Sequence, residues 1–343
     1  MRQFTVIIEQ LNLSKNLILA NDTASLRMAL ILLDNAAEIL MYRKVLSEFH
    51  YNDFYEKLRG QAKSFMPPDI FDNFITEHSV PEVIAEKNKK KILKYFDEKI
   101  TFLCNTGGFI PIPSGAVLSS LHRYRNETYH RDIIRNEILR PIAILYFELT
   151  CDLITHLHQS ADCYNSEDDW SEFFMKFGLG ESEHKMRMLC DNDIQAILNR
   201  FRADLTLTLH ELKETLRKYA TNRLEETLDR LNFIADALGS KDLNIILKLI
   251  QFTATEAALE FNNRNVLLQS EKFSEYTAPI TTVTFSRWQE RAQSFASLEN
   301  KLSLFITFKQ LEDEFEAIER RMLDVADELD SAIQLAIDVA RGK

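Results

Sequence analysis

Apolar residues recur along most of this chain at spacings of three and four, the period of a helix face turned toward a core. The first twenty residues carry Phe4, Val6, Ile7 and Ile8, a grouping that fits either a short strand or a first helical turn. Asn21-Asp22-Thr23 then supplies capping side chains, and Leu26, Ala29, Leu30, Leu33, Ala37, Leu40 and Met41 predict a helix from about Ser25 to Phe49. Asp34, Asn35 and Glu38 interrupt it: they are its exposed edge, or they face the polar stretch at 122–132 and orient its Arg or His. A shorter helix is expected over Tyr51–Ser64, ended by Met66-Pro67-Pro68, and another over residues 82–103. Thr106-Gly107-Gly108 and Pro111–Pro113 break the chain again. Ser114 then opens a helix with Val117, Leu118 and Leu121 inward, and Asp132 is placed to cap the next, at about 133–158. Pro141 should kink that helix or mark a fresh start.

The pattern changes at residues 159–184, which are acidic and carry Trp170, Phe173, Phe174 and Phe177, as in a linker with a short amphipathic helix. Beyond it the chain reads as helical nearly to its end. Ile194, Leu198, Phe201, Leu205, Leu209, Leu212, Leu216 and Tyr219 begin a long helix over 191–237, continued after a phase slip by Leu224, Leu228, Leu231 and Ile234. A helix over 242–268 follows, then a β-branched stretch at 277–285 that reads as a loop or short extended piece. The last helix is the most regular. Leu304, Phe308, Leu311, Phe315, Ile318, Met322, Val325, Leu329, Ala332 and Ala336 form an a/d seam over more than four heptads. Such a seam must be buried, against the 191–237 helix or in another subunit. These patterns predict an all-α chain with a helical bundle at 1–158, an acidic aromatic linker at 159–184 and a long-helix, coiled-coil-like domain at 185–343.

Composition supports helices. Of 343 residues only 8 are glycine and 7 proline, while 45% are hydrophobic, so a sizeable core is available. The net charge of −11 argues against a protein that coats nucleic acid through its overall field. Any RNA contact must be local, with Arg123, Arg125, Arg131, Arg135 and Arg140 as candidates; Lys-Asn-Lys-Lys-Lys at 87–91 reads by default as a solvated helix face. Cys104, Cys151, Cys163 and Cys190 form no CxxC pair and no His lies at finger spacing, so no metal site or cofactor is expected. They fit reduced thiols in a cytoplasmic protein. No signal peptide and no transmembrane span is read from the sequence.

One stretch stands apart, His-Arg-Tyr-Arg-Asn-Glu-Thr-Tyr-His-Arg-Asp at 122–132. Arg125, Asn126 and His130 form an R-N-x3-H pattern. Histidine can give and take protons near neutral pH, arginine matches phosphate geometry with a planar fork, and asparagine can hold a phosphate oxygen or orient a hydroxyl. Together they suit metal-free cleavage of RNA, in which the 2′-hydroxyl is an internal nucleophile. Helix geometry constrains this. Asn126 and His130 share a face with Arg123, while Arg125, five before His130, points elsewhere. Either the helix breaks between Arg125 and His130, or Arg123 is the working arginine, or two copies of the chain complete the site. The plain alternative is a polar cluster that caps and solvates a helix end. Arg135-Asn136 repeats the motif's start, but the fifth residue after Arg135 is Arg140, not histidine.

Arg125-Asn126-x3-His130 before a final bundle helix, with the small-apolar first helix carrying an acidic residue at 32–45, resembles the HEPN domain family over about 40% of the chain. The resemblance implies a metal-independent endoribonuclease, of a toxin or antiviral defence type, working as a homodimer with two motifs across one cleft. Arg125 and His130 take the family's catalytic positions, Asn126 its polar position, and Glu38 is a candidate for the acidic partner. Arg123 and Tyr129 are further supporting candidates. Family toxins paired with a nucleotidyltransferase antitoxin often carry Tyr two residues after the His, where this chain has Asp132.

Two functions follow as expectations. One is an RNA endonuclease with His130 as general acid/base, Arg125 stabilising the transition state with Arg123 as a supporting cation, and Asn126 positioning the phosphate or hydroxyl. The other is a non-catalytic helical scaffold, or a nucleotide- or RNA-binding protein, with a protein partner (antitoxin or sensor) on the C-terminal helices. A nucleotidyltransferase or ATPase finds no support, since Gly107-Gly108 lacks a following Lys-Ser or Lys-Thr.

Overall fold

A computed structural model of the chain describes residues 2–67, 70–71, 84–131, 133–157, 171–179, 190–260 and 267–341. It is all-α: thirteen α-helices and two short 3₁₀ turns, with no strand among the described residues. The chain divides into two compact units, Met1–Leu207 and Thr208–Lys343.

The first unit is organised around one long helix. α1 (Arg2–Ala20) resolves the ambiguity of the opening residues in favour of a helix. Asn21 takes a left-handed φ of 58°, which asparagine tolerates better than most residues, and turns the chain. Asp22 then caps α2 (Thr23–Phe65), accepting from the Ser25 amide. α2 runs unbroken for 43 residues, where two helices were expected, because no Gly or Pro falls near residue 50. The helix expected over 82–103 is instead two, α3 (Glu86–Lys94) and α4 (Phe96–Asn105), separated by the extended Tyr95. The motif helix, α5 (Ile112–His130), starts with Pro113 in its first turn, where a missing N–H costs nothing. α6 (Asn136–Leu157) continues through Pro141, so that proline marks no fresh start; Asp132 lies outside the described residues.

α6 is buried on most of its surface, from Ile138 to Leu157, and fills the centre of this unit against α2, α1 and α5. Gly115 seats α5 closely on α4, since a Cβ there would lie 2.6 Å from the Cys104 sulfur. Arg27 of α2 donates to the Thr128 carbonyl at 3.0 Å and so satisfies an otherwise open carbonyl in the last turn of α5. A short helix, α7 (Ser171–Lys176), buries Phe173 and Phe174, within the stretch read as linker.

The long helix expected over 191–237 is two helices: α8 (Asp191–Asp204) and α9 (Leu209–Ala237). Thr208 and Glu211 form a capping box that starts α9 anew. α8 belongs to the first unit, so the boundary lies near residue 208 rather than 185. The reason is Phe201, which packs on Phe147 and Phe177.

In the second unit, α10 (Leu243–Phe252) is followed by a 3₁₀ turn at Glu256–Glu260, shorter than the 242–268 helix expected. After α11 (Glu271–Glu275), α12 (Thr282–Ser294) takes up the last four residues of the stretch read as loop, 282–285, its start set by Thr281 and Thr284. α13 (Lys301–Ala340) is the seam helix. Its seam is buried against α9 and its neighbours from Leu304 to Met322. Past Ala326 it is not: Leu329 is half-buried and Ala332 and Ala336 are exposed, as are Ile333, Leu335 and Val339 beside them. Forty residues of helix span about 60 Å and the 29 of α9 about 44 Å, so α9 cannot cover the whole seam.

Candidate functional site

α5 stays helical from Ile112 to His130, so the motif is not brought together by a break in the helix. Arg125 and His130 therefore diverge around the axis. The polar side chains sort into two groups along it.

The inner group centres on Asp34 of α2, which is 2% exposed. Its Oδ1 lies 2.7 Å from Nδ1 of His122 and accepts from the Tyr146 hydroxyl of α6 at 2.7 Å. Because a carboxylate only accepts, Nδ1 of His122 carries a proton, and because the Asn126 oxygen is turned to Arg125, the NH₂ of Asn126 faces Nε2, which accepts. Asn126 Nδ2 donates to it at 3.0 Å, and the Asn126 carbonyl oxygen accepts from Arg125 Nη1 at 2.8 Å. Arg125 Nε returns to within 3.4 Å of the second Asp34 oxygen. The His122 ring lies flat on Phe96 of α4, with centroids 3.9 Å apart and planes 6° from parallel. A buried carboxylate is costly unless paired, and here Tyr146, His122 and Arg125 share that task. Burial, then the adjacent Asp34 charge, pushes the Tyr146 phenol well above its ordinary pKa, so it stays a donor.

The outer group sits at the helix end. His130 is exposed, and its ring meets Tyr129 edge to face at 4.8 Å. The Arg125 guanidinium lies 5.5 Å from the centre of the same Tyr129 ring. Tyr129, itself 57% exposed, is thus the side chain that touches both groups. Arg123 is exposed and donates to the Ser120 hydroxyl at 3.4 Å.

The other sequence candidates separate. Glu38 does not meet the motif: its carboxylate pairs at 3.0 Å with Lys99, whose side chain is 1% exposed. Asp34, one turn earlier on the same stripe, takes the place at the motif. Arg135 is no surface arginine, being 7% exposed, paired with Glu127 at 2.8 Å and stacked 4.6 Å above Tyr124. Arg131 is exposed and Arg140 half-buried. In the basic run, Lys89 is buried and paired with Asp53 and Glu86, while Lys87, Lys90 and Lys91 are solvated. His122 was passed over because it lies outside the R-N-x3-H pattern. Its four-residue spacing to Asn126, one turn on the same face, is the signal that points to it.

Among the described residues no three His, Cys, Asp or Glu side chains are grouped to hold a metal ion, and no helix is long and apolar enough to cross a membrane. A separate groove of about 690 Å³ runs beside α2, lined by Arg43, Leu46, Ser47, His50, Tyr51, Phe54 and Tyr55, none of which belongs to either group. No protein-family model, curated protein or solved structure matches this chain.

Proposed function

We propose that the first unit is a metal-independent endoribonuclease of the HEPN type, acting on RNA inside the cell as a toxin or antiviral defence effector. The observation that carries this reading is the rim formed by Arg125, Tyr129 and His130: an exposed imidazole and a pinned guanidinium share one aromatic neighbour at the end of a rigid helix. His130 is the general acid/base, Arg125 stabilises charge developing on phosphorus with Arg123 as a second cation, and Asn126 orients the phosphate or hydroxyl. Because α5 is unbroken, Arg125 and His130 of one copy face different ways, and the site is completed by a second copy across a twofold axis.

The test is cleavage of total and transfer RNA in EDTA by wild type and His130→Ala, with growth on expression followed in parallel. Cleavage or growth arrest by wild type alone supports the reading. Equal inertness of two folded proteins removes it.

A second reading, a helical scaffold holding a protein partner, is favoured by the end of α13. Residues 323–340 carry five carboxylates and no Lys or Arg beside the exposed Leu335 and Val339. Under that reading, both proteins are inert and truncation after Ala326 abolishes capture of the partner.

A further inference from the structure

We propose that His122, held by Asp34, is a positioning residue that sets Asn126 and, through it, Arg125 for the reaction; the catalytic part of this proposal rests on the ribonuclease reading above. The argument is one of hydrogen-bond polarity. An asparagine amide can turn either face to a neighbour, and an arginine fork can reach several acceptors. Left alone, neither has a single orientation. Here each direction is dictated by the next group inward. Asp34 can only accept, so a neutral His122 presents N–H to it at Nδ1 and a lone pair outward at Nε2. That lone pair requires the NH₂ of Asn126, at 3.0 Å, which turns the Asn126 carbonyl to Arg125 Nη1, at 2.8 Å. Phe96 beneath the ring fixes its plane, and Tyr146 holds the Asp34 oxygen that His122 uses.

The network is anchored on four elements: Asp34 on α2, Phe96 on α4, His122 on α5 and Tyr146 on α6. A guanidinium aimed this way keeps one Nη on Asn126 and its Nε beside Asp34, leaving the other Nη for an incoming phosphate oxygen. His122 itself is not placed to move the proton, since both ring nitrogens are engaged within the protein. A misplacement of such a cation by about 1 Å is enough to cost on the order of 10²-fold in rate.

Two substitutions separate positioning from other roles. In His122→Gln the side-chain amide still offers an N–H inward and a carbonyl outward, but cannot carry a proton. In His122→Leu both are gone. On RNA in EDTA, His122→Leu should lower kcat on the order of 10²-fold with KM little changed, and His122→Gln should recover at least tenfold of that loss. Equal loss in both variants would assign His122 to proton transfer and overturn the proposal. Equal kcat per folded molecule in both variants and wild type would reduce it to packing and also overturn it.

A readout free of activity comes from long-range ¹H–¹⁵N spectra of the full chain labelled at histidine. His122 should show a protonated Nδ1 and a bare Nε2, and Asn126→Ala should shift Nε2 while leaving Nδ1 protonated. A ring protonated at Nε2 sinks the proposal whatever the enzyme does. A bare Nε2 in a protein that cleaves no RNA supports the polarity chain and sinks the ribonuclease reading instead.

Discussion

Nδ1 of His122 and Oδ1 of Asp34 lie 2.7 Å apart although 88 residues separate them in sequence, and this contact ties the motif helix to the long helix behind it. Asp34 also accepts from Tyr146. A hydrogen bond to a buried charge contributes about 1.5–3 kcal/mol. Tyr146→Phe, which keeps the ring and deletes the donor, should lower stability by that amount, seen as a lower urea midpoint at unchanged slope. A loss under about 0.5 kcal/mol would place Asp34 in contact with water instead.

The same phenol makes the fold sensitive to base. The folded-state pKa of Tyr146 is raised well above the ordinary tyrosine value, first by burial and then by Asp34. Its contribution is whole below about pH 10, the unfolded value, and is lost as pH rises through the higher folded value. Wild type should therefore lose urea stability on going from pH 9 to above pH 10, and Tyr146→Phe should lose less over the same interval. Parallel losses in the two proteins would exclude Tyr146 as the cause.

In the second unit the polar core is an ion network. Arg223 reaches Glu312, fully buried, at 2.6 Å and also Glu319, and Lys309 closes on Glu312 at 3.0 Å. Burial alone would lower the arginine's pKa, but the hydrogen bond to Glu319 and the surrounding charges outweigh it and raise it. Removing Arg223 takes one of two cations from the buried Glu312 and the arginine from Glu319. Arg223→Met should destabilise this unit by about 3–5 kcal/mol, while Arg223→Met with Glu312→Gln should recover part of the loss, because the Glu312 carboxylate is then gone and Lys309 keeps Asp313 at 2.6 Å. Thermal unfolding of the three proteins checks both numbers.

Cys151 supplies a chemical test of the core. Burial pushes its thiol up to about 12, whereas Cys190 is exposed. The thiolate is the reactive form, so iodoacetamide at pH 8 should label Cys190 in the native protein and Cys151 only after denaturation. Peptide mass spectrometry reads this directly. Native labelling of Cys151 at the rate of Cys190 would show that α6 is open to solvent.

The all-α class was legible, and so were helices such as α5 and α13, where apolar period and turn residues agree. What was not legible was local. Nothing in composition distinguishes the two-helix break at Tyr95 from a continuous helix, since Tyr is an ordinary helix residue; the break is read from its extended backbone. The capping box at Thr208 was visible as Thr-x-x-Glu but was overridden by an apolar stripe that ran across it. At the site, the pattern named Arg125, Asn126 and His130, and these do lie along one helix. It missed His122, although the four-residue spacing to Asn126 was there to read, and left Asp34 undecided, because its contacts from α2 to α5 and α6 depend on tertiary placement and have no sequence spacing of their own.

The end of α13 separates a seam that packs from one that only looks as if it should. Phe315, in the seam, is 1% exposed and packs against Trp288 and Arg223, whereas the seam's Ala332 and Ala336 are exposed and Leu335 and Val339 beside them are each 67% exposed. The heptad pattern continues past Ala326 although the burial stops there. Phe315→Ala should therefore cost about 3–5 kcal/mol through transfer and cavity terms. The pair Leu335→Gln and Val339→Gln should change stability by no more than about 0.5 kcal/mol each, as surface substitutions do. Denaturant unfolding of the full chain at two protein concentrations reads both. If the glutamine variants destabilise the protein by over 1 kcal/mol, and by more at the higher concentration, the exposed end of α13 is covered in solution by another copy of the chain. The scaffold reading of the C-terminal helices would then have to begin from that self-association.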